Sequence, residues 1–189
     1  MTEDILIGLG GNIPSHIGSP IDTIERALAI LERKDDILIS AKSAMYQTAP
    51  VPVSDQPDFI NMAVRIETEL SAQSLLALFQ RIEVGCGRKP GERWSARTLD
   101  IDLLAYGNKI LPSEDVWQQV VDDKDPAAFL PEPVVPHPRL HKRAFVLVPL
   151  LEVAPNWRHP KLKKSVQQLS EGEFVKAESA GVRKLSQFL

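Results

Sequence analysis

Asp100 and Asp102 alternate with Leu99, Ile101 and Leu103 in the run Arg97-Thr98-Leu99-Asp100-Ile101-Asp102-Leu103-Leu104. In an extended chain, residues two apart project from the same face, so this spacing sets two carboxylates side by side. Like charges that close repel, and an apolar setting raises the cost unless a cation or hydrogen-bond donors compensate. Hard oxygen ligands paired in this way suit Mg²⁺ bridging phosphate oxygens. Spacing alone leaves open the alternative of two acids simply solvated on an exposed strand. Just upstream, Arg88, Lys89, Arg93 and Arg97 fall within one loop-like stretch. Converging cations match a polyphosphate, whose oxygens arginine forks clamp in phosphoryl-type transfer. Paired instead with Asp58, Glu83 or Glu92 on a surface, the same arginines would carry no function. Trp94, among them, either fills a core or stacks over a flat ring.

Other patterns point away from familiar sites. Gly8-Leu9-Gly10-Gly11 follows a strand-like run, but no third glycine stands in dinucleotide register and the next helix begins many residues later. No glycine loop ends in Lys-Ser or Lys-Thr, so a bound nucleotide would need another scaffold. Of the histidines only His137 and His141 are close, and Pro138 between them disfavours helix at His137. No third ligand accompanies them, which favours a phosphate or adenine contact, or plain exposure, over zinc. Cys86 reads as a buried thiol packed by a helix.

The elements that must position these groups follow from periodicity. Asp4 to Gly11 reads as a strand ending in Gly10-Gly11-Asn12. Ser19-Pro20 caps a helix whose face is Ile21, Ile24, Leu28 and Leu31. Alternation from Ile37 to Met45 predicts a second strand, and the prolines between Thr48 and Pro57 predict a loop. Phe59 to Leu70 alternates again, with Ile60, Met62, Val64 and Ile66 toward a core and Phe59 and Asn61 on the opposite face. Ser71 caps a helix from Ala72 to about Gly85, built on Leu75, Leu78, Phe79 and Ile82. Leu99 to Tyr106 is the fourth strand, which Gly107-Asn108 turns into a hairpin with Lys109 to Leu111. The proline-bounded stretch from Pro112 to Pro138 reads as an insertion, with its acidic part at about 112–135. Arg139 to Val153 reads as helix interrupted near Pro149, followed by a polar tail from Lys161. The order strand, helix, strand, strand, helix, strand predicts an α+β, ferredoxin-like βαββαβ sandwich with an antiparallel sheet, added C-terminal elements and one sheet face open to ligands.

Composition bounds the rest. With 189 residues, 43% of them apolar, and a formal charge of −3, the chain fits one domain with modest extensions, read as 1–160 plus a C-terminal extension at 161–189. A pI near 5.8 argues against a nucleic-acid backbone or an anionic membrane as main partner. One cysteine excludes an intramolecular disulfide framework and fits a cytoplasmic protein. The apolar run Ile5–Leu9 has no basic region before it, and nothing approaches a membrane-spanning length.

The run Glu92-Arg93-Trp94-x-x-Arg97-Thr98-Leu99-Asp100-Ile101-Asp102 resembles the signature of the 6-hydroxymethyl-7,8-dihydropterin pyrophosphokinase family. The likeness extends in the family's order through Gly10-Gly11-Asn12, Tyr46-Gln47-Thr48-Ala49-Pro50, Asp55-Gln56-Pro57-Asp58-Phe59-Ile60-Asn61, Gln80-Arg81-Ile82-Glu83, Pro136-His137-Pro138 and Arg143-x-Phe145, spanning about residues 5–155. It implies transfer of pyrophosphate from ATP to the pterin hydroxymethyl group, with release of AMP and two Mg²⁺ ions held by Asp100 and Asp102. It further implies that Phe59 and Phe145 sandwich the pterin, that Asn61 hydrogen-bonds its edge, and that Gly10, Thr48, Ala49, Val51 and Trp94 complete that pocket. On the ATP side it implies Gln80, Glu83, Lys89, Trp94, Arg97, Leu103, His137, Pro138 and Arg143, with Arg88 and Arg97 stabilising the transferred charge. Glycine and proline at 87–91 fit a hinged lid. Phe59 stands where the family commonly has tyrosine, the 88–93 loop is shorter, and the stretch between Asn108 and Pro136 is longer and acidic. A monomer is expected. The competing readings are a non-catalytic ferredoxin-like module that binds a metabolite, and a two-metal nuclease or nucleotidyltransferase using the same acids.

Overall fold

Ile5, Ile7 and Leu9 alternate with Leu6, Gly8 and Gly10 along the first strand, β1 (Glu3–Gly11), and this alternation sets up two layers of packing. The computed structural model describes residues 3–51, 53–89, 96–123 and 133–186. After β1 come α1 (Pro20–Glu32), β2 (Ile37–Lys42), β3 (Tyr46–Thr48), β4 (Phe59–Thr68), α2 (Ala72–Gly85), β5 (Asp100–Tyr106) and α3 (Glu114–Asp122). A 3-10 turn at Leu140–Lys142 leads into α4 (Ala144–Val153), α5 (Val166–Ser170), α6 (Glu173–Ser179) and β6 (Arg183–Lys184). In the sheet, β4 lies between β1 and β2 while β5 flanks β1, every neighbour antiparallel. That is the split β-α-β order expected from the sequence.

Local chemistry explains the two sandwich helices. Ser19 and Asp22 form a reciprocal capping box at the start of α1, with Pro20 in the first turn. Ser71 accepts the Ser74 N–H and caps α2, each such cap stabilising a helix by about 1 kcal/mol. Ile24, Leu28 and Leu31 of α1 and Leu75, Leu78, Phe79 and Ile82 of α2 bury against Ile5, Ile7, Leu9, Met62, Val64, Ile66 and Ile101. Cys86, fully buried at the end of α2, belongs to this layer.

The second sheet face departs from the expectation of an open surface. Leu6, Ala63, Leu104 and Ala105 on that face pack under Leu140, Leu147 and Leu150, and Val166, Leu169 and Val175 complete the cluster. The polar tail thus has an apolar side that the weak periodicity of its short helices concealed. Among the described residues, the end of this face carrying Gly8, Gly10, Asn61, Asp100 and Asp102 is not packed under these helices, because glycines and polar side chains there offer nothing for a helix to bury against.

Four further elements differ from the sequence reading. The second strand ends at Lys42, and the chain rejoins β4 as the separate three-residue β3. Lys109–Leu111 forms no hairpin with the strand before it; Leu111 bridges Val135, with the Leu111 N–H donating to Val135 O at 2.8 Å. That bridge pinches the base of the insertion, and within it α3 anchors through the buried Trp117, whose Nε1–H donates to Pro136 O at 2.6 Å. The helical stretch after Arg139 breaks at the extended Arg143 rather than at Pro149, which lies inside a continuous α4. Among the described residues, no helix is long and apolar enough to cross a membrane.

Candidate functional site

The register of the sheet assembles the site. Gly10 pairs with Asp100 on one side and with Asn61 on the other, while Gly8 pairs with Asp102 and Ala63, so these side chains share one face. They floor a cleft of about 360 Å³. Its walls are Thr48 at the end of β3 with Ala49, Pro50 and Val51 after it, Phe59 at the head of β4, and His137, Pro138, Arg139, Arg143 and Phe145 at the approach to and first turn of α4. Val120 and Asp123, at the end of α3, close one lip, so the insertion contributes to the rim.

Glycine at position 10 leaves room for the Asn61 side chain. A β-carbon there would stand 2.5 Å from Asn61 Oδ1, and one on Gly11 would stand 2.5 Å from Thr98 O. The space allows Asn61 to lie across β1 and donate through Nδ2 to Thr48 Oγ1 at 2.7 Å, which leaves Oδ1 as an oriented acceptor. Asn12, buried at the end of β1, locks the other side. Its N–H donates to Arg97 O (2.9 Å), its Oδ1 accepts the Arg97 N–H (2.9 Å), and its Nδ2 donates to Gln56 Oε1 and Pro57 O (both 3.1 Å).

A chain of charges crosses the acidic end. Arg88 Nη1 lies 2.5 Å from Glu83 Oε2 and 3.0 Å from Asp100 Oδ1, and Arg97 Nη1 lies 2.6 Å from the same Asp100 oxygen. Desolvation and the neighbouring Asp102 push the Asp100 carboxyl above its ordinary range, against the pull of Arg97 and Arg88. Glu83, on α2 and facing β5, accepts the Ile101 N–H at 2.7 Å; burial above all drives its carboxyl up to about 7, opposed by that bond and by Arg88. Desolvation, joined by Arg143, pushes the His137 imidazole down to about 3. Its Nδ1 accepts the Arg139 N–H at 3.1 Å, which leaves a neutral ring with Nε2–H as its donor. Arg143 is held below its usual range chiefly by burial, and its guanidinium lies 5.4 Å from the centre of the Phe145 ring.

The residue types fit a hard divalent cation. Two carboxylates share a strand face, and the burial and then the Asp102 charge that raise Asp100 are the stress such an ion relieves. No third His, Cys, Asp or Glu joins them among the described residues, which leaves the remaining positions to phosphate oxygens and water, the usual mode of holding Mg²⁺.

Most residues singled out in the sequence converge here: Gly10, Thr48, Ala49, Val51, Phe59, Asn61, Arg97, Asp100, Asp102, His137, Pro138, Arg143 and Phe145 all line the cleft. Others lie elsewhere. The Leu103 side chain is buried on the opposite face, against the α1–α2 layer, because it alternates with Asp102. Gln80 is exposed on α2, Lys89 is exposed beyond it, and Glu83 lies beneath the floor, reaching the site through Arg88. Trp94 and the lid expected at 87–91 fall wholly or partly outside the described residues. Sequence reasoning gave no role to Asn12 as a tether, to Arg139, or to the α3 lip; a polar residue ending a Gly-Gly strand was the one available signal.

Residues 6–155 match the model of the family described as 7,8-dihydro-6-hydroxymethylpterin-pyrophosphokinase (HPPK). The chain is 33% identical over 165 residues to the 2-amino-4-hydroxy-6-hydroxymethyldihydropteridine pyrophosphokinase of Haemophilus influenzae, covering 86% of this chain and 92% of that protein. To the Bacillus subtilis protein of the same name it is 34% identical over 182 residues, covering 96% and 95%. It is 36% identical over 151 residues to the mitochondrial folate synthesis bifunctional protein of Arabidopsis thaliana, of which it spans 23%. Among solved structures, an HPPK-DHPS variant from Plasmodium falciparum superposes with a TM-score of 0.67 at 15% identity, covering 97% of this chain and 47% of that one. At that identity the likeness concerns the fold alone, and this chain spans less than half the length of its counterpart.

Proposed function

Because the chain belongs to the 7,8-dihydro-6-hydroxymethylpterin-pyrophosphokinase family, we propose that it transfers pyrophosphate from ATP to the hydroxymethyl oxygen of 6-hydroxymethyl-7,8-dihydropterin, releasing AMP, in folate biosynthesis. The observation that carries this reading is the meeting of Asp100 and Asp102 with two unlike sets of side chains. Arg88 and Arg97 reach Asp100, Arg139 and Arg143 line the cleft, and Phe59, Asn61 and Phe145 line it as well. Cations suit a triphosphate, and aromatic faces with an oriented amide suit a flat heterocycle rich in donors and acceptors.

In this reading Asp100 and Asp102 hold two Mg²⁺ ions, which would supply charge neutralisation at the transferring phosphates. Phe59 and Phe145 stack on the pterin, Asn61 reads its edge, and Gly10, Thr48, Ala49 and Val51 line its pocket. Trp94 is assigned a contact with both substrates. Arg97 and Arg143 bind ATP oxygens, His137 donates through Nε2–H to a phosphate or purine acceptor beside Pro138, and Gln80, Lys89 and the backbone of Leu103 complete the nucleotide side. Arg88, steered by Glu83 onto Asp100, stabilises the charge that develops as the pterin oxygen attacks the β-phosphorus and AMP departs. The catalysis is positioning and electrostatics, with water kept out by the cleft walls.

The enzyme acts as a cytoplasmic monomer in which 1–160 form the catalytic unit and 161–189 an extension of it. The exposed large apolar side chains Ile21, Leu38, Val84 and Phe174 stand on four different elements, with Val51 and Val53 in the loop after β3, a scatter that supports the monomer. The activity is tested by incubating the full chain with ATP, Mg²⁺ and the pterin and identifying the nucleotide formed. AMP appearing only when the pterin is present supports the reading; ADP, or no turnover, sinks it.

A further inference from the structure

Phe145 and Glu152 stand seven positions apart on α4, two turns along one side of the helix. On β3, Tyr46 and Thr48 are two apart and share a face. One end of this pair of elements borders the cleft, where Thr48 accepts the Asn61 amide and Phe145 lines the wall. At the other end the two elements are tied together. The Tyr46 hydroxyl donates to Glu152 Oε1 at 2.6 Å, the Ala44 N–H donates to Oε2 at 2.7 Å, and Lys184 Nζ donates to Oε1 at 2.6 Å.

Lys184 arrives on β6, beyond residues 6–155 that match the family model. This edge strand pairs Lys184 with Tyr46 and Arg183 with Gln47, and the Leu185 N–H donates to Met45 O at 2.9 Å. It reaches the cleft by a second route: Arg183 Nη2 lies 3.6 Å from Asp58 Oδ2, which also accepts from Gln47 Nε2 at 2.9 Å, one residue before Phe59. A strand as short as β3 is weakly held by one ladder, so the second ladder and the carboxylate matter to its placement. Burial would raise the Glu152 carboxyl, yet bonds from Lys184, Tyr46 and Ala44 hold it below its ordinary value. Desolvation and then Glu152 push the Tyr46 phenol up to about 12.

We propose that Glu152, Tyr46 and Lys184 are positioning residues for the pterin, a clasp that fixes α4 against β3 and so sets the width of the slot between Phe145 and the Phe59–Thr48–Asn61 wall. The inference rests on reading that slot as the pterin site. The clasp ties α4 to β3, whereas Asp100 and Asp102 stand on β5 and Arg97 just before it, so its effect falls chiefly on the pterin side.

The test is steady-state kinetics of the full chain with each substrate varied, for Tyr46→Phe, Lys184→Met, Lys184→Arg and the Tyr46→Phe/Lys184→Met double variant, with Tm measured for each. Tyr46→Phe keeps the ring and removes only the donor. It raises the pterin KM by about three- to tenfold, with kcat and the ATP KM within about twofold. Lys184→Met acts in the same direction, Lys184→Arg restores the wild-type pterin KM, and the double variant falls short of the product of the single effects because both act through one carboxylate. A parallel rise in both KM values, or a lower Tm with an unchanged pterin KM, overturns the clasp as a positioning device. Phe59→Ala in the same assay separates the two ideas. If it raises the pterin KM while Tyr46→Phe and Lys184→Met do not, the slot stands and the clasp falls; if it leaves that KM unchanged, both fall.

Discussion

Asp100 is more heavily engaged than Asp102, since its Oδ1 meets both Arg88 and Arg97 while burial, and then its neighbour's charge, raise its pKa. On the proposed mechanism its replacement removes a cation ligand, and it also releases two arginines from their aim. We expect Asp100→Ala and Asp102→Ala each to lower kcat by roughly three orders of magnitude or more, the range seen when an electrostatic stabiliser is lost. Circular dichroism should remain that of the wild type, because both residues sit at the uncovered end of the sheet. Near-normal kcat at saturating Mg²⁺ in either variant would remove the carboxylates from the mechanism. Gly10→Ala addresses the other substrate. With its β-carbon 2.5 Å from Asn61 Oδ1, the amide must turn away, and the pterin KM should rise on the order of tenfold while ATP affinity holds. The facing of the two aspartates was legible in the sequence because a strand's period of two admits only one outcome. The steering of Arg88 by Glu83 was not, because it depends on how α2 packs against β5 rather than on any spacing along the chain.

At the scale of elements, α3 and the segment after α4 support the far side of the cleft through an aromatic cluster. Trp117 lies 5.3 Å from His159 between ring centres, and His159 lies 5.8 Å from Trp157 and 6.2 Å from His141. Trp117→Ala should cost about 3–5 kcal/mol, read as a lower Tm, since it empties a core position and frees the Pro136 carbonyl one residue before His137. His159 gives the cluster a pH dependence. Its ring is fully buried, Nδ1 accepts the N–H groups of Lys161 and Leu162, and desolvation with nearby His141 brings its pKa down to about 4. A histidine depressed in the folded state contributes stability above its ordinary pKa of about 6.5 and loses it as pH falls through the folded value. The His159 contribution should therefore decline between about pH 6.5 and pH 4 by roughly 3 kcal/mol, and His159→Gln should remove that part of the acid sensitivity. Denaturant midpoints across this range check it; an unchanged slope in the variant would assign the acid sensitivity elsewhere. None of these supports was visible beforehand. In α3 the buried set is a single tryptophan, and β3 is three residues bordering a proline-rich loop, so neither writes a periodic pattern.

At the scale of the whole molecule, the sheet order, both sandwich helices and the open end carrying the acids follow from alternation, caps and glycines, which are local signals. The covering of the second face did not follow, because Leu6, Ala63 and Leu104 meet α4, α5 and α6 only through contacts distant along the chain. The tail thus belongs to the same packed unit as the site, and sedimentation of the full chain should give a single species near 21.0 kDa; a larger species at micromolar concentration would contradict the monomer. The central claim is that one cleft joins two substrates across Asp100 and Asp102 so that two phosphoryl groups move together. The most direct measurement is a single turnover with ATP labelled separately at the α, β and γ phosphorus. The account predicts β and γ label in the pterin product, in equal amounts, with α label in AMP. Transfer of γ label alone, or release of label as free phosphate without a labelled pterin, would contradict it.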